Sequence, residues 1–242
     1  MNRTERKRSK YYRIAERQFY LALMDQIGPV IVAAEALGSI GPEVAQRLIV
    51  EEPMYKKFNY IYKEAGGDFA QDIYDNFHGG DMKYTFDKYM ESYVLNNCGE
   101  RITSITNMSK EVAKKIINKT IADNGTMGGG ELGREIAREL KKNGARIAQW
   151  RSRMIARTEV ATASNVGQHA GALQTGQAML KTWNHNSTSK DSRISHEHMD
   201  GTTIPIDQMF NVDGVMMQTP CDPSAPAEHT INCNCGLTYS VR

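Results

Sequence analysis

Apolar residues recur at helical spacing along most of the first 180 residues. In residues 10–26 they leave one apolar stripe on a helix. A second helix is expected from Pro42 to Val50, because proline suits a first helical turn, where its missing N–H would have no partner. Residues 54–64 and about 68–96 continue the helical pattern after a break at residues 51–53, and residues 96–105 are expected to form a turn or a short extended piece.

Further helices are predicted in the middle of the chain. Ser109 is the expected N-cap of a helix that ends near Ala122. The glycines at 128–130 form a hinge rather than a phosphate-binding loop, because no Gly-Lys-Ser/Thr ending follows them. A long helical region then extends from Glu131 to about residue 178, with a division at Gly144.

The second part of this long helical region has one face that we expect to be buried. Its members recur every three or four positions: Ile147, Trp150, Met154, Thr158, Ala161 and Asn165. The later members are small, and small side chains let another backbone approach closely. We therefore expect this helix to lie against a sheet or a neighbouring helix.

The pattern changes after Gly176. Short alternating runs at residues 180–186, 202–206 and 235–241 predict strands, and Asp200-Gly201 and Asp213-Gly214 are typical of tight turns between strands. The predicted fold class is α+β: a mainly helical N-terminal half, then a long helix leading into a small antiparallel β-sheet. We place the boundary between a helical region, 1–145, and a C-terminal module, 146–242.

Charge is concentrated near the start of the chain. Residues 1–18 hold seven Lys/Arg and two Glu, whereas the whole chain of 242 residues has a formal net charge of +2. Such a segment could contact DNA phosphates or an acidic protein surface through Arg3, Arg6, Lys7, Arg8 and Lys10, or be a solvated helix end. No run approaches the roughly 18 consecutive apolar residues that cross a bilayer. No apolar run and cleavage site typical of a secretory signal follow the basic segment, so we expect a protein that stays in the cytoplasm or in a particle assembled there.

Cysteine and histidine provide the candidate chemistry. Cys221, Cys233 and Cys235 lie close to the end of the chain. Because residues i and i+2 of a strand point to the same face, Cys233 and Cys235 would direct two sulfurs one way, and His196 and His198 two imidazoles. If those strands are adjacent, a structural Zn²⁺ site of two His and two Cys is feasible. The alternates for His198 are Cys221, Asp222 and His229.

A metal-free arrangement is the other interpretation of the same residues. Cys233 and Cys235 would then be reduced and packed as small apolar side chains, with His196 bonded to Asp200 or to the backbone. A disulfide between the two cysteines is disfavoured, because an extended chain separates their Cα atoms by about 6.6 Å, with side chains roughly parallel.

Five separated elements at ordered spacing carry a resemblance to a known family. They are Arg157-Thr158-Glu159 at a helix start, Lys181-x-Trp183, Arg193-x-x-His196-x-x-x-Asp200-Gly201, the turn Pro220-x-Asp222-Pro223, and Asn232-Cys233-x-Cys235. The last 90 residues closely resemble the Mu F-like module of phage minor head proteins. Two positions depart from the family pattern: Cys221 stands where glycine is usual, and Asn234 where arginine is usual.

The resemblance implies a virion assembly protein and no enzymatic activity. Its partners would be the phage portal and capsid proteins, with non-specific contact to double-stranded DNA, and without a membrane or a small-molecule substrate. Its location would be the inner capsid or portal region, and the host cytoplasm during assembly. The motif residues Arg157, Thr158, Glu159, Trp183, Arg193, Asp200, Gly201 and Asp222 would be structural.

Two other functions remain open at this stage. The His/Cys cluster near Asp200 and Asp222 is compatible with a metal-dependent nuclease or hydrolase, which would require an open coordination position and a positioned base. Mu F-like modules are also sometimes fused to toxins, although residues 1–145 show no toxin signature. Trp183 and Phe210 are expected in the core under the sheet, with nucleobase stacking as the alternative.

Overall fold

The computed structural model describes residues 3–77, 83–186 and 192–242, and it is mostly helical with small antiparallel sheets, which confirms the predicted α+β class. The helices are α1 (Arg3–Leu37), α2 (Pro42–Leu48), α3 (Glu52–Ile61), α4 (Gly67–Phe77), α5 (Lys83–Asn97), α6 (Gly99–Asn124), α7 (Gly129–Glu139), α8 (Ala145–Gln174), α9 (Ile194–Glu197) and α10 (Ala227–Thr230). π-helical turns at Tyr62–Gly66 and Leu140–Gly144 join α3 to α4 and α7 to α8. The strands are β1 (Met179–Asn184), β2 (Thr203–Pro205), β3 (Phe210–Val212), β4 (Val215–Met217) and β5 (Gly236–Val241).

The chain folds into two compact units, each built from separated segments. The first unit combines Met1–Ala15, Phe58–Cys98 and Met154–Arg242, and the second combines Glu16–Lys57 and Gly99–Arg153. This division differs from a single boundary at residue 145. The segments of each unit meet through contacts between residues far apart in sequence, which local composition does not reveal.

Helix α1 is the longest helix among the described residues, at 35 residues. An 18-residue window of it has a mean hydropathy of 1.3, so by length and composition alone it could cross a membrane. Ile27, Val30 and Ala34, however, are buried in the apolar core of the second unit. Part of the apolar surface of this helix therefore packs inside the protein, and 39% of the window is buried.

The second unit contains a buried polar network that corrects two predictions. Helix α6 begins at Gly99, so residues 99–105 are helical and not a turn, and Ser109 is buried within the helix and not at its N-cap. The Ser109 hydroxyl donates to Gln26 Oε1 at 2.9 Å and accepts from Arg151 Nη1 at 3.0 Å. Polar residues on the buried face of α6 interrupt its apolar pattern, which is why the sequence did not indicate a helix there.

The junction at Gly144 and the exposure of Trp150 also differ from expectation. Gly144 ends a π-helical turn and does not break the helical region. Trp150 is 62% exposed, whereas Ala148 and Arg151 are buried. A π turn inserts an extra residue into the helical repeat, so it shifts which face of the following helix is buried. Thr158, Ala161 and Asn165, farther along α8, are buried as predicted.

The first unit contains the predicted sheet. Its strand order is β2-β1-β5, all antiparallel, with Trp183 of β1 opposite Leu237 of β5. Strands β3 and β4 form a separate hairpin whose turn, Asp213-Gly214, has both residues at positive φ, 53° and 86°. Trp183 and Phe210 pack edge to face with ring centroids 5.2 Å apart, which confirms their place in the core.

A buried polar group lies on the inner side of this sheet. Alternation along β1 turns Lys181 inward, where its ammonium donates to the carbonyl of Gln218 at 2.8 Å. Burial lowers the pKa of Lys181 to about 8. The Gln218 side-chain amide lies 2.9 Å from His169 Nε2, and burial lowers the pKa of His169 to about 3. His169 is therefore neutral at physiological pH and accepts this hydrogen bond.

Another backbone approaches α8 closely, as predicted, and it does so at Gly167 and Gly171, which the predicted stripe did not include. A Cβ atom added at Gly167 would overlap the carbonyl oxygen of Gly66, and one added at Gly171 would overlap that of Ala70. Both contacts are made by backbone atoms, which cannot rotate away as a side chain could. The glycines therefore set the distance between α8 and the α4 segment.

We expect Gly167→Ala to destabilise the protein by about 2 kcal/mol or more, because the added methyl group forces two packed helices apart. Gly28→Ala is the matched control: Gly28 also lies within a helix, but a Cβ there meets nothing within 4 Å. That change should stabilise by about 0.5–1 kcal/mol through helix propensity. Urea unfolding of both variants measures the difference, and equal stabilities would contradict the packing argument.

Candidate metal centre

One histidine and two cysteines converge in the first unit. His196 Nδ1 lies 3.5 Å from Cys233 Sγ and 3.6 Å from Cys235 Sγ, and all three residues are buried. The three ligating atoms lie within 4.8 Å of one another. This cluster could hold a metal ion, and it contains three of the four residues predicted for such a site.

Local chain geometry places these side chains. Cys233 and Cys235 occupy the segment that leads into β5, where i and i+2 point to the same side, as predicted. The segment is preceded by Asn232, which has φ +58° and whose N–H donates to Thr158 Oγ1 at 3.1 Å. His196 lies on the single-turn helix α9, which Arg193 connects to the same segment by donating to the carbonyl of Ile231 at 2.7 Å.

The two cysteines of the cluster differ in the pKa of their thiols. Hydrogen bonds from Cys221, from Cys235 and from His196 lower the pKa of the Cys233 thiol well below its ordinary value. The interaction with Cys233 and burial together raise the pKa of Cys235. The cluster therefore favours one thiolate, at Cys233, and the thiolate is the form that binds metals.

His198 does not join the cluster, contrary to expectation. The prediction assumed an extended chain, in which His196 and His198 would project together. The chain is helical at α9, so residues two positions apart diverge, and His198 is exposed at its C-terminal end. Asp200 does not bond His196 either, since its carboxylate accepts the backbone N–H of His185 at 2.7 Å.

Two of the three alternate ligands, Cys221 and His229, lie beside the cluster. Cys221 is fully buried, and its thiol donates to the carbonyl of Cys233 at 3.2 Å. Its φ of +61° explains why glycine is usual at this position of the family pattern, since glycine adopts that conformation without strain. The His229 ring lies nearly parallel to the His196 ring, at 18°, with centroids 5.7 Å apart.

A buried arginine of α1 holds the cysteine segment in place. Arg8 is 4% exposed, and its guanidinium donates to the carbonyls of Asn234 and Cys235, each at 3.2 Å. It also donates to Ser164 Oγ at 2.7 Å and to Asn165 Oδ1 at 2.6 Å. The predicted role of Arg8 in DNA or portal contact is therefore wrong, because its donors are used inside the protein.

The other basic residues of this segment differ in availability. Lys7 pairs with Asp72 at 2.6 Å and donates to the carbonyl of Asp68, so it too is largely used within the unit. Arg3 forms a longer pair with Asp72, 3.5 Å, and stays mostly exposed. Arg6 and Lys10 are exposed. The surface available for an external partner is smaller than the sequence indicated.

Several of the family-motif residues make hydrogen bonds within the first unit. Glu159, 2% exposed, accepts a hydrogen bond from Tyr62 at 2.9 Å. Asp222 accepts from the backbone N–H of Gln218 and from both the N–H and the hydroxyl of Ser224. Gly201 makes a turn with φ +76° and donates to the carbonyl of Trp183 at 2.9 Å. Arg157 is exposed.

A small cleft borders the cluster. It has a volume of about 20 Å³, room for roughly one water molecule. The lining residues are His185, Asn186, Ser192, Arg193, His196, Asn232, Cys233, Asn234 and Cys235.

Sequence reasoning missed two residues that organise the site. Arg8 was assigned to the basic surface, although it shares a helical stripe with Tyr11, Ala15 and Phe19, all buried. That spacing was the available signal. Asn165, whose amide donates to the carbonyls of Pro220 and Cys235 at 2.9 and 3.1 Å, was predicted only as a buried member of the α8 stripe.

Comparison with known families gives one match. Residues 115–238, just over half of the chain, match the family described as Phage Mu protein F like protein. No curated protein and no solved structure matches the chain significantly. The matched range contains the α8 motif, β1, the His196 segment and both cysteines of the cluster. The chain belongs to the phage Mu F-like head morphogenesis family.

Proposed function

We propose that this protein is a minor head protein of a bacteriophage virion, associated with the portal or inner capsid, where it acts in head assembly and in DNA packaging or delivery. The observation that carries the proposal is the family match over residues 115–238. Members of the family are generally structural head proteins. The arrangement of the family-motif side chains supports a structural role, since Glu159 and Asp222 are buried and hydrogen-bonded within the unit.

A hydrolase is not favoured by the surroundings of the cluster. A catalytic metal needs a carboxylate or another base that can reach a bound water. Asp222 has both oxygens engaged with its own turn, and Asp200 accepts a hydrogen bond from the backbone of His185. The His/Cys cluster is buried, and the cleft beside it is of water size.

We further propose that His196, Cys233 and Cys235 bind a structural Zn²⁺. A tetrahedral zinc with Zn–N of about 2.0 Å and Zn–S of about 2.3 Å separates its nitrogen and sulfur ligands by about 3.5 Å. The two N–S distances in the cluster, 3.5 and 3.6 Å, match this value. Bound there, the ion would connect α9 to the segment before β5, which Arg8 already holds from the other side.

The role in the virion is tested by the composition of phage particles. We expect the protein to co-purify with DNA-containing heads on a density gradient, because a head protein is retained in the particle. Mass spectrometry of the gradient band detects it, and a non-structural phage protein expressed at the same time is the control. Expression in infected cells with absence from both mature and empty heads would refute the proposal.

The zinc is tested by metal analysis of the purified protein. We expect about one zinc per chain in the wild type, and loss of the metal in His196→Gln and Cys233→Ser, because a three-residue site does not retain zinc after losing a ligand. Cys98→Ala is the control, since Cys98 is also buried in the first unit but lies outside the cluster. Absence of metal in wild-type protein purified with excess zinc would exclude the site.

Contact with DNA would use the basic residues that remain exposed. We propose that Arg6 and Lys10, one helical turn apart on α1, contact phosphates without sequence preference. Arg6→Glu/Lys10→Glu should weaken binding to random duplex DNA and lower the slope of log K against log salt by about 2, since each phosphate contact contributes about 0.9. Fluorescence anisotropy measures both quantities.

The matched control for this charge reversal is Lys115→Glu/Lys119→Glu. These residues are exposed and have the same spacing on α6, so the change in net charge is identical. Equal losses in the two double variants would mean that net charge alone governs binding. Salt weakens binding that depends on phosphate contacts. Equal wild-type binding at low salt and at about 0.5 M salt would therefore contradict phosphate contact altogether.

A further inference from the structure

We propose that His229 is the fourth ligand of the metal centre, so that the site is a closed His₂Cys₂ zinc site formed by His196, His229, Cys233 and Cys235. This inference rests on the zinc site proposed above. It adds His229, which is not among the three residues whose ligating atoms already converge. Structural zinc sites have four protein ligands, and the cluster of described residues supplies three.

The position of the His229 ring is the first observation in support. Two imidazoles on one tetrahedral zinc have ring centroids about 5 Å apart, given Zn–N bonds of about 2.0 Å. The His196 and His229 centroids are 5.7 Å apart. The ring is therefore already within an ångström of the required separation, and what it lacks is orientation, because the two rings are nearly parallel at 18°.

The hydrogen bonding of His229 is the second observation. Its Nδ1 atom is buried and has no hydrogen-bond partner within the described part of the chain. A buried nitrogen with a free lone pair is uncommon, because burial removes its hydrogen bond to water without replacement. Coordination of a cation would satisfy it. In addition, a neutral imidazole nitrogen is among the preferred ligands of zinc.

The position of His229 along the chain makes the required movement small. His229 lies on the one-turn helix α10, and three residues separate it from Cys233. The histidine and both cysteines therefore belong to one short segment, His229-x₃-Cys233-x-Cys235. A turn of the His229 side chain, with a slight shift of α10, would direct Nδ1 to the ion without rearranging the sheet.

The two other candidates fit less well. His198 is exposed, and it is not among the residues whose ligating atoms converge in the cluster. The Cys221 thiol is directed to the carbonyl of Cys233, to which it donates at 3.2 Å. A water molecule in the adjacent cleft is the remaining alternative for the fourth ligand.

The test uses full-length protein loaded with Zn²⁺ or Co²⁺. In His229→Gln, zinc affinity measured against a chromophoric chelator should fall by at least about tenfold, since even the loss of a residue that only orients a ligand costs about 10–100-fold. The visible band of the Co²⁺ protein should shift as a nitrogen ligand is lost. His198→Gln, a histidine change two residues from His196, is the matched control and should behave as wild type.

A second variant, His229→Cys, tests the assignment even if His229→Gln does not fold. His229→Cys should retain the metal and gain sulfur-to-cobalt charge-transfer absorption, because a third thiolate joins the coordination sphere. Wild-type affinity and an unchanged cobalt spectrum in His229→Gln, or no added charge transfer in His229→Cys, would overturn the assignment of His229 and favour water or Cys221. A wild-type protein that binds no metal would refute the zinc site itself, which is a distinguishable result.

Discussion

The first unit depends on a buried guanidinium. A charged side chain removed from water is tolerated only when hydrogen bonds replace those it had with solvent. Arg8 meets that condition with four donations, two to side chains of α8 and two to the carbonyls of Asn234 and Cys235. Removing one partner would weaken that compensation, because the buried guanidinium would then make fewer hydrogen bonds. The positions of α1, α8 and the cysteine segment are therefore coupled to each other.

This coupling explains how a short, irregular segment can present two sulfurs at a defined distance from one imidazole. The residues around Cys233 and Cys235 have few apolar side chains of their own to pack. Their backbone is held by Arg8 and Asn165 through carbonyl groups, and by Thr158 through the N–H of Asn232. All three of these residues lie on helices, Arg8 on α1 and Thr158 and Asn165 on α8. The family-motif helix thus acts as the support on which the sheet and the cluster are assembled.

The two departures from the family pattern become intelligible in the same terms. Cys221 adopts the positive φ that glycine would adopt more easily, and its thiol bonds the backbone of Cys233. Asn234 accepts a hydrogen bond from Tyr12 at 2.8 Å, and its carbonyl accepts from Arg8. Both residues therefore take part in the contacts around the cysteine segment.

Much of the fold followed from periodicity and turn chemistry. Period-2 alternation predicted β1 and β5, Asp213-Gly214 predicted the β3–β4 turn, and Pro42 predicted the start of α2, because each of these depends on residues adjacent in the chain. The start of α6 and the face of α8 near Trp150 were not predicted correctly. In both places the buried face includes polar residues, Ser109 and Arg151, whose partners come from distant segments.

The candidate site was likewise predicted only in part. The parallel direction of Cys233 and Cys235 required only the geometry of an extended chain, whereas the separation of His196 from His198 depended on a single helical turn that their sequence does not specify. The sequence by itself determined most of the element types, the family and which residues could bind a metal. Only the tertiary structure decided that Arg8 is internal and which imidazole approaches the sulfurs, because contacts between segments far apart in sequence select those positions. Arg8 bonds Ser164 and Cys235, 156 and 227 residues away, and His196 contacts Cys233, 37 residues away.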